Sequence, residues 1–205
     1  MVSGELEQHE FLPLRLLSEV LTVLLGVVVA SIAARLVGEF LSLHGVHWRW
    51  NAIFDRLDQA TDITIFGTSI LFVVWFRRAR INAEPHGYRQ RRARGWTFWG
   101  WVVPIVDMWI PFQLMGDIWR AGLSEERRHK IAWLPALWWT CWLLSGLSFG
   151  TGSSATTSPI PHLAAHTYTV SLCLLGAAGA VLIAIVRIVS NGPVGSPLPS
   201  LAYAP

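Results

Sequence analysis

The stretch WTFWGWVVPIVDMWIPFQLMGDIW, Trp96–Trp119, decides how the rest of the chain is interpreted. It is apolar enough to enter a membrane, yet it contains Pro104 and Pro111 together with the carboxyl groups of Asp107 and Asp117. Each proline removes a backbone hydrogen-bond donor, and an ionised carboxylate at the centre of a bilayer would cost about 3 kcal/mol or more. The sequence therefore predicts a broken segment here rather than a regular membrane-spanning helix.

The composition of the whole chain is typical of a membrane protein. Of the 205 residues, 53% are hydrophobic, 14% are charged and twelve are tryptophan, and the mean hydropathy is +0.44. Such values argue against an ordinary soluble domain. Around the broken segment, four apolar stretches are predicted to cross the membrane: residues 16–36, 61–76, 131–149 and 167–190.

The positive charge is concentrated in one part of the chain. Eleven of the sixteen cationic residues lie between Arg77 and Lys130, and fifteen of the sixteen are arginine. An arginine cluster with Tyr88 and Trp96 nearby can bind RNA, but beside hydrophobic helices it more simply marks the cytoplasmic side of a membrane. We predict contacts with anionic lipid head groups or a protein partner, and not with nucleic acid, through Arg77, Arg89, Arg91, Arg92 and Arg94.

The distribution of charge also favours one of two possible membrane topologies. If Trp96–Trp119 crossed the membrane, there would be five spans, and the cationic loops 77–94 and 120–130 would lie on opposite sides. If the segment enters and returns, or lies in the interface, four spans remain and all eleven cations share one side. The sequence therefore favours an all-α, polytopic membrane protein with four full spans and a Pro-broken, Trp-rich re-entrant or interfacial segment. Five spans is the alternative.

An ordered motif begins at the end of the second predicted span. It reads W-x-x-R-A-x-x-N, then W-x-x-P-x-x-D-x-x-x-P, then D-x-W, and its residues are Trp75, Arg78, Ala79, Asn82, Gly87, Trp96, Trp101, Pro104, Asp107, Pro111, Asp117 and Trp119. Over about residues 60–190 the chain resembles domain of unknown function 4328, a family of small bacterial integral membrane proteins common in actinobacteria. That family usually has asparagine at position 107 and glutamate at position 117. The resemblance implies a helical membrane protein and brings no known activity.

The chain is expected to form one membrane domain, residues 16–190, between two tails. Residues 1–15 are predicted to be a polar N-terminal tail, and residues 191–205 a disordered, proline-rich tail. The connection 44–60 has an amphipathic pattern that suits the membrane interface. With four spans, both termini are cytoplasmic, and the resemblance implies the inner (plasma) membrane of a bacterium.

The polar motif residues each admit a functional and a structural interpretation. Asp107 is either a proton or cation site, or a cap for a helix beginning near Pro111 or the partner of an arginine. Asp117 is expected to pair with Arg120, one helical turn away. At the end of the second span, Arg78 is predicted to bind a lipid phosphate, and Asn82 to hold the backbone of the broken segment.

Two histidine pairs are expected to face outward in the four-span topology. The pairs are His44 with His47 and His162 with His166, and their spacings suit one helical face, as metal or haem ligation requires. No cysteine or carboxylate signature accompanies them, so ordinary interfacial histidines are the alternative interpretation, and no cofactor is predicted.

No catalytic motif occurs in the sequence: there is no nucleophile elbow, phosphate-binding loop, dinucleotide fingerprint or zinc-protease motif. The preferred interpretation is a non-enzymatic membrane protein that binds anionic lipid or a partner protein. Two others remain open, a small transporter or channel subunit that uses Asp107, and a metal- or haem-binding membrane protein. Ridges of small residues in the first and last spans suit helix packing or self-association. They are Gly26, Ala30, Ala34 and Gly38 in the first span and Gly176, Ala180 and Ala184 in the last.

Overall fold

The computed structural model describes residues 11–43, 51–86, 90–152 and 161–196, and none of these residues forms a β-strand. Seven α-helices occur in this part of the chain: α1 (Arg15–Leu43), α2 (Asn51–Ala83), α3 (Trp96–Val102), α4 (Ile110–Gly122), α5 (Glu125–Lys130), α6 (Leu134–Gly152) and α7 (Pro161–Ser190). Short 3-10 turns occur at Glu84–His86, Val106–Met108 and Pro193–Gly195. The predicted all-α class is confirmed.

The four long helices, α1, α2, α6 and α7, form an antiparallel bundle. The backbone N–H of Leu12, just before α1, donates to Oδ1 of Asn82 at the end of α2 over 3.0 Å. Near the same end of α2, Nε1 of Trp75 donates to Oγ of Ser190, the last residue of α7, over 3.0 Å. The start of α1 therefore meets the ends of α2 and α7, and we call this end of the bundle the basal end.

Three of these helices, α1, α2 and α7, are long and apolar enough to cross a membrane. Their outward surfaces carry large apolar side chains, including Leu16 and Ile63, each 74% exposed, and Phe66 and Val170. Contiguous apolar surface of this kind is unfavourable in water and is matched by the hydrocarbon interior of a bilayer. The outward-facing residues thus agree with the composition.

The segment Trp96–Trp119 is broken where its prolines predict. Helix α3 ends at Val102, and Val103 is extended (φ −85°, ψ 111°) because a residue that precedes proline is sterically excluded from the helical region. After the turn Val106–Met108, α4 begins with Pro111 in its first turn, where the missing N–H breaks no helical hydrogen bond. The two helices touch closely: a Cβ on Gly100 would lie 2.8 Å from Cγ2 of Ile110.

Helix α4 packs at the basal end beneath the long helices. Its apolar face is buried and includes Leu114, Met115 and Ile118, all 0% exposed. These side chains belong to one core cluster together with Trp75 and Phe76 of α2 and residues of α6 and α7. A short helix with so large an apolar face is stable only when docked, so α4 closes the core from below.

Two predicted segment boundaries differ from the structure. Residues 51–60 of the predicted interfacial connection 44–60 form the first turns of α2. Residues 44–50 lie outside the described residues. The predicted loop 150–166 is helical at both ends, where α6 continues to Gly152 and α7 starts at Pro161. Neither difference alters the order of the four long helices.

The predicted tails are wrong at their inner ends, since the residues next to the bundle are packed. Leu14 and Val194 are both 0% exposed. The backbones of α4 and of the last described segment also approach closely, because a Cβ on Gly192 would collide with the carbonyl oxygen of Gly122. Residues 1–10 and 197–205 lie outside the described part of the chain.

Helices α1 and α7 pack together as suggested, but the predicted ridges account for the contact only in part: Gly176 belongs to one of them, Gly179 does not, and Ala180 is exposed. On α7, a Cβ on Gly176 would lie 3.4 Å from Ile32, and one on Gly179 would lie 2.8 Å from Val29. On α1, a Cβ on Gly26 would meet nothing within 4 Å, and Ala30 is exposed. The larger side chains of α1 therefore fill the glycine surface of α7.

Candidate functional site

The side-chain amide of Asn82 connects both ends of the membrane domain. Asn82 is 4% exposed. Its Nδ2 donates to the carbonyl oxygens of Leu12 (2.9 Å) and Val194 (3.0 Å), while its Oδ1 accepts from the N–H of Leu12. Asn82 thus holds irregular backbone, as predicted, but the prediction that this backbone belongs to the broken segment is wrong.

Asp117 connects the two cationic loops. It is 1% exposed and accepts a hydrogen bond from the backbone N–H of Arg91 over 3.0 Å. Its Oδ1 also forms ion pairs with the guanidinium groups of Arg91, at 3.6 Å, and of Arg120. The predicted pair with Arg120 is confirmed, and the contact with Arg91 adds a link between residues 26 positions apart.

Glu84 organises a second group of arginines. Arg80, 1% exposed, donates to Oε1 of Glu84 over 3.0 Å and to the carbonyl oxygen of Arg92 over 2.6 Å. Nε of Arg94 lies 3.1 and 2.9 Å from the two carboxylate oxygens of Glu84. Charge-assisted bonds of this kind are roughly twice as strong as neutral ones. Arg80 was not among the predicted site residues, although its spacing of four from Glu84 was the available signal.

A cluster of aromatic rings fixes the broken segment against the bundle. The Trp101 ring centroid lies 5.6 Å from that of Phe72 and 5.9 Å from that of Trp142. It also lies 6.1 Å from the centroids of Phe76 and Trp139. All four contacts are edge-to-face, a favoured arrangement for aromatic pairs. Trp101 therefore connects α2 with α6, which also meet directly where the rings of Phe72 and Trp138 lie 6.0 Å apart.

A cavity of about 830 Å³ opens beside this cluster, between α2 and α3. We call it the side cavity. Its inner walls come from α1, α6 and α7, and most of its lining is aliphatic or aromatic, including Leu25, Val28, Trp138, Trp142, Leu175 and Leu182. Its charged lining residues are Arg77, Arg94 and Asp107. Such a space suits an apolar molecule with one polar end better than it suits an ion.

Among the described residues, Asp107 neither caps α4 nor bonds an arginine through Oδ1, and Arg89 of the adjacent loop lies outside them. The N-cap of α4 is Trp109, which makes no side-chain cap bond, and Oδ1 of Asp107 is buried without a hydrogen-bond partner among the described residues. Burial raises the pKa of this carboxyl group above its ordinary value, because desolvation disfavours the charged form. Asp107 is therefore a carboxyl group in a place that favours its neutral form.

Asp107→Asn is expected to raise the unfolding temperature at pH 7, by a gain of about 1 kcal/mol in the free energy of unfolding. A carboxyl pKa that is higher in the folded protein than in the unfolded chain makes stability fall as pH rises from the ordinary value of 3.8 through the folded value. Asparagine lacks that titration, so the variant's advantage should appear at neutral pH and vanish near pH 3. Thermal unfolding of both proteins in detergent at several pH values measures it, and an advantage that does not change with pH contradicts this origin.

The remaining predicted residues lie in α2, in the loop after it, in the broken segment or outside the described chain. Nη1 of Arg78 lies 3.3 Å from the carbonyl oxygen of Pro13, so this arginine contacts the N-terminal segment. Arg77 and Arg92 are exposed, Trp96 is half-buried, Pro104 is exposed, and Pro111 and Trp119 are buried. Arg89 lies outside the described residues.

The histidine hypothesis falls almost entirely outside the described side chains. His44 and His47 lie outside the described residues, the side chain of His162 is not among those described, and His166 is exposed. Within the described residues, no group of three potential metal ligands comes together. The metal or haem hypothesis therefore gains no support.

The architecture and the site together define a small all-α protein with helices of membrane-spanning length, an arginine-rich basal end and an apolar side cavity. The chain belongs to the family described as domain of unknown function (DUF4328), whose model matches residues 52–190. This confirms the resemblance seen in the motif. Neither a curated protein nor a solved structure matches the chain.

Proposed function

We propose that this protein is a non-enzymatic, integral membrane protein whose basal end binds anionic lipid head groups on the cytoplasmic side. The observation that carries the proposal is the position of Asp117 between Arg91 and Arg120, which joins the two cationic loops at one end of the bundle. From Arg77 to Lys130 the chain has eleven cationic and five acidic residues. A surface with such an excess attracts anionic lipid by about 1 kcal/mol for each arginine near the membrane.

The proposal includes four membrane spans. Helix α6 has 19 residues, which gives about 28 Å at 1.5 Å per residue and approaches the ~30 Å of a hydrocarbon core. The contact of α3 with α4 through Gly100 and Ile110 supports a broken segment that enters beside α2 and returns to the basal end. This arrangement keeps the cationic loops on one side, as the positive-inside rule favours.

Sidedness can be measured by cysteine labelling in cells. With Cys141 and Cys173 replaced by serine, single cysteines at positions 91, 127 and 154 are treated with a membrane-impermeant maleimide before and after permeabilisation. We expect Arg91→Cys and Arg127→Cys to react only after permeabilisation, and Ser154→Cys to react in intact cells. Labelling of positions 91 and 127 from opposite sides would establish five spans instead.

Binding of anionic lipid should stabilise the folded protein. In nanodiscs, we expect the unfolding temperature to rise as phosphatidylglycerol replaces phosphatidylcholine, because a ligand of the folded state stabilises it by mass action. The rise should shrink in 0.5 M salt, since the charges at this surface are screened. Arg92→Gln and Arg127→Gln together remove two exposed charges. The double variant should lose about 2 kcal/mol of the stabilisation by phosphatidylglycerol, so its unfolding temperature should rise less.

The matched control removes two arginines that lie in the sequence near the start of α2, Arg49→Gln and Arg56→Gln. These lie near Asp55 and Asp58 in the sequence, so their loss should change the lipid effect less. An unfolding temperature that does not depend on the lipid composition would contradict the proposed function.

A transporter or channel subunit is the second candidate, and Asp107 is the observation in its favour. The carboxyl group lines the side cavity and has a buried oxygen without a partner among the described residues. The mainly apolar lining supports it less well, because an ion needs a continuous polar path through the membrane. Proton or cation flux through reconstituted protein that disappears in Asp107→Asn would favour this candidate.

A further inference from the structure

We propose that the side cavity holds one acyl chain of an anionic phospholipid from the surrounding bilayer, whose phosphate is bound by Arg77 and Arg94. This inference rests on the proposed function and adds to it a defined site and a defined class of ligand. It distinguishes a lipid held at one place from lipids attracted loosely by the whole cationic surface.

The dimensions of the cavity suit a single acyl chain. Along α2 its lining extends from Ile65 to Arg77, which is about 18 Å at 1.5 Å per residue. The hydrocarbon chains of one leaflet extend over about 15 Å, half of the ~30 Å core. The volume of about 830 Å³ lies within the range of roughly 300–1,000 Å³ that is usual for sites of small molecules.

The outer wall of the cavity faces the lipid. It is formed by Phe66 and Ile70 of α2 and by Phe98 and Trp99 of α3, and each of these side chains is more than half exposed. The inner wall is formed by buried or half-buried residues of α1 and α7. A chain can therefore enter sideways from the bilayer between α2 and α3, without passing through water, and exchange one apolar surrounding for another.

The charged lining selects the head group. Arg77 lies near the basal end of α2, four residues beyond Val73 on the same helical face. Arg94 lies two residues before the start of α3. Arg94 and Arg80 both pair with Glu84. Arg77, Arg80 and Arg94 together therefore carry more positive charge than this one carboxylate neutralises. A guanidinium group matches a phosphate with two parallel hydrogen bonds. Arg77 can make that pair, whereas Arg94, whose Nε and Nη2 bond Glu84, offers the phosphate Nη1. The apolar cavity with arginine at one end thus complements an anionic phospholipid in both shape and charge.

Native mass spectrometry of the delipidated full chain in detergent tests the site directly. The first dissociation constant is measured for phosphatidylglycerol and for phosphatidylcholine with identical chains. We expect phosphatidylglycerol to bind about fivefold more tightly, and Arg77→Gln to remove most of that preference. Arg187→Gln is the matched control, because Arg187 is exposed near the basal end of α7 and does not line the cavity.

A second pair of variants tests the chain rather than the head group. Ile70→Trp narrows the opening in the outer wall and should raise the dissociation constants of both lipids about tenfold. Each CH₂ group of the acyl chain that is kept out of the apolar cavity weakens binding by about 0.8 kcal/mol. Ile63→Trp, on the exposed surface of the same helix and outside the cavity lining, should change neither affinity. Both replaced isoleucines are more than half exposed, so an unchanged unfolding temperature is expected and is measured alongside.

The outcomes separate this inference from the proposed function. If Arg77→Gln and Arg187→Gln reduced the preference for phosphatidylglycerol equally, the preference would come from the charge of the whole surface. That result would overturn the cavity site and leave the proposed function standing. No effect of Ile70→Trp would overturn the site as well. Equal affinity of the unmodified chain for the two lipids would overturn both proposals.

Discussion

Asn82→Ala is expected to lower the free energy of unfolding by about 3 kcal/mol. The substitution removes three hydrogen bonds made by one buried amide, and it leaves the N–H and C=O of Leu12 and the C=O of Val194 without those partners. An unpaired buried polar group costs roughly 1–3 kcal/mol, and partial hydration of the chain ends limits the total. Thermal unfolding in detergent should show a clear decrease in unfolding temperature.

The same substitution should loosen both ends of the membrane domain. Trypsin cleavage after Arg15 and after Arg187 should become faster under native conditions, because both segments contact Asn82 through Leu12 and Val194. Asn191→Ala is the matched control, since Asn191 is exposed and its backbone N–H, which alanine retains, donates to the carbonyl oxygen of Arg187. Equal unfolding temperatures for the two variants would show that the amide contributes no net stability.

Asn82→Asp separates shape from hydrogen bonding. The carboxylate has nearly the same shape and keeps the acceptor for the N–H of Leu12, but it loses both donated bonds and brings a charge into a site that is 4% exposed. It should therefore be at least as destabilising as alanine at neutral pH. A stable Asn82→Asp variant would mean that water reaches this site.

What the sequence predicts well is local. The break at Pro104, the proline in the first turn of α4 and the pair of Asp117 with Arg120 follow from the geometry of a few neighbouring residues. The all-α class and the long apolar helices follow from composition and segment length. In each case the physical cause lies within one or two helical turns of the residues that show it.

The contacts that build the site are not local, and they leave little trace in the sequence. Asn82 bonds backbone atoms 70 and 112 positions away, and backbone atoms are the same in every residue. The packed tail depends on Gly192 meeting the carbonyl of Gly122, and neither glycine reveals its partner. The side cavity was not predicted because lipid-facing and core-facing residues of a membrane helix are similarly apolar, so hydrophobic periodicity does not separate them.

Trp101→Ala is expected to cost about 3 kcal/mol, as large-to-small replacements of core aromatic residues do. The ring touches four other aromatic rings from α2 and α6, so its removal enlarges the side cavity and releases α3 from the bundle. The near-ultraviolet circular dichroism should weaken together with the unfolding temperature, because Trp139 and Trp142, stacked at 5.0 Å, lose their common neighbour. Trp133→Ala, at a position 57% exposed, is the control and should change both signals little.

Trp101→Phe distinguishes ring packing from indole hydrogen bonding. Nε1 of Trp101 is buried without a partner among the described residues, so phenylalanine loses contact area but also removes a polar group that is costly to bury. The two effects oppose each other, and the net loss should stay below about 1.5 kcal/mol. If Trp101→Phe were instead as destabilising as Trp101→Ala, the indole N–H would have to bind a partner such as an ordered water or a lipid head group. The broken segment would then be held by a polar contact as well as by its rings.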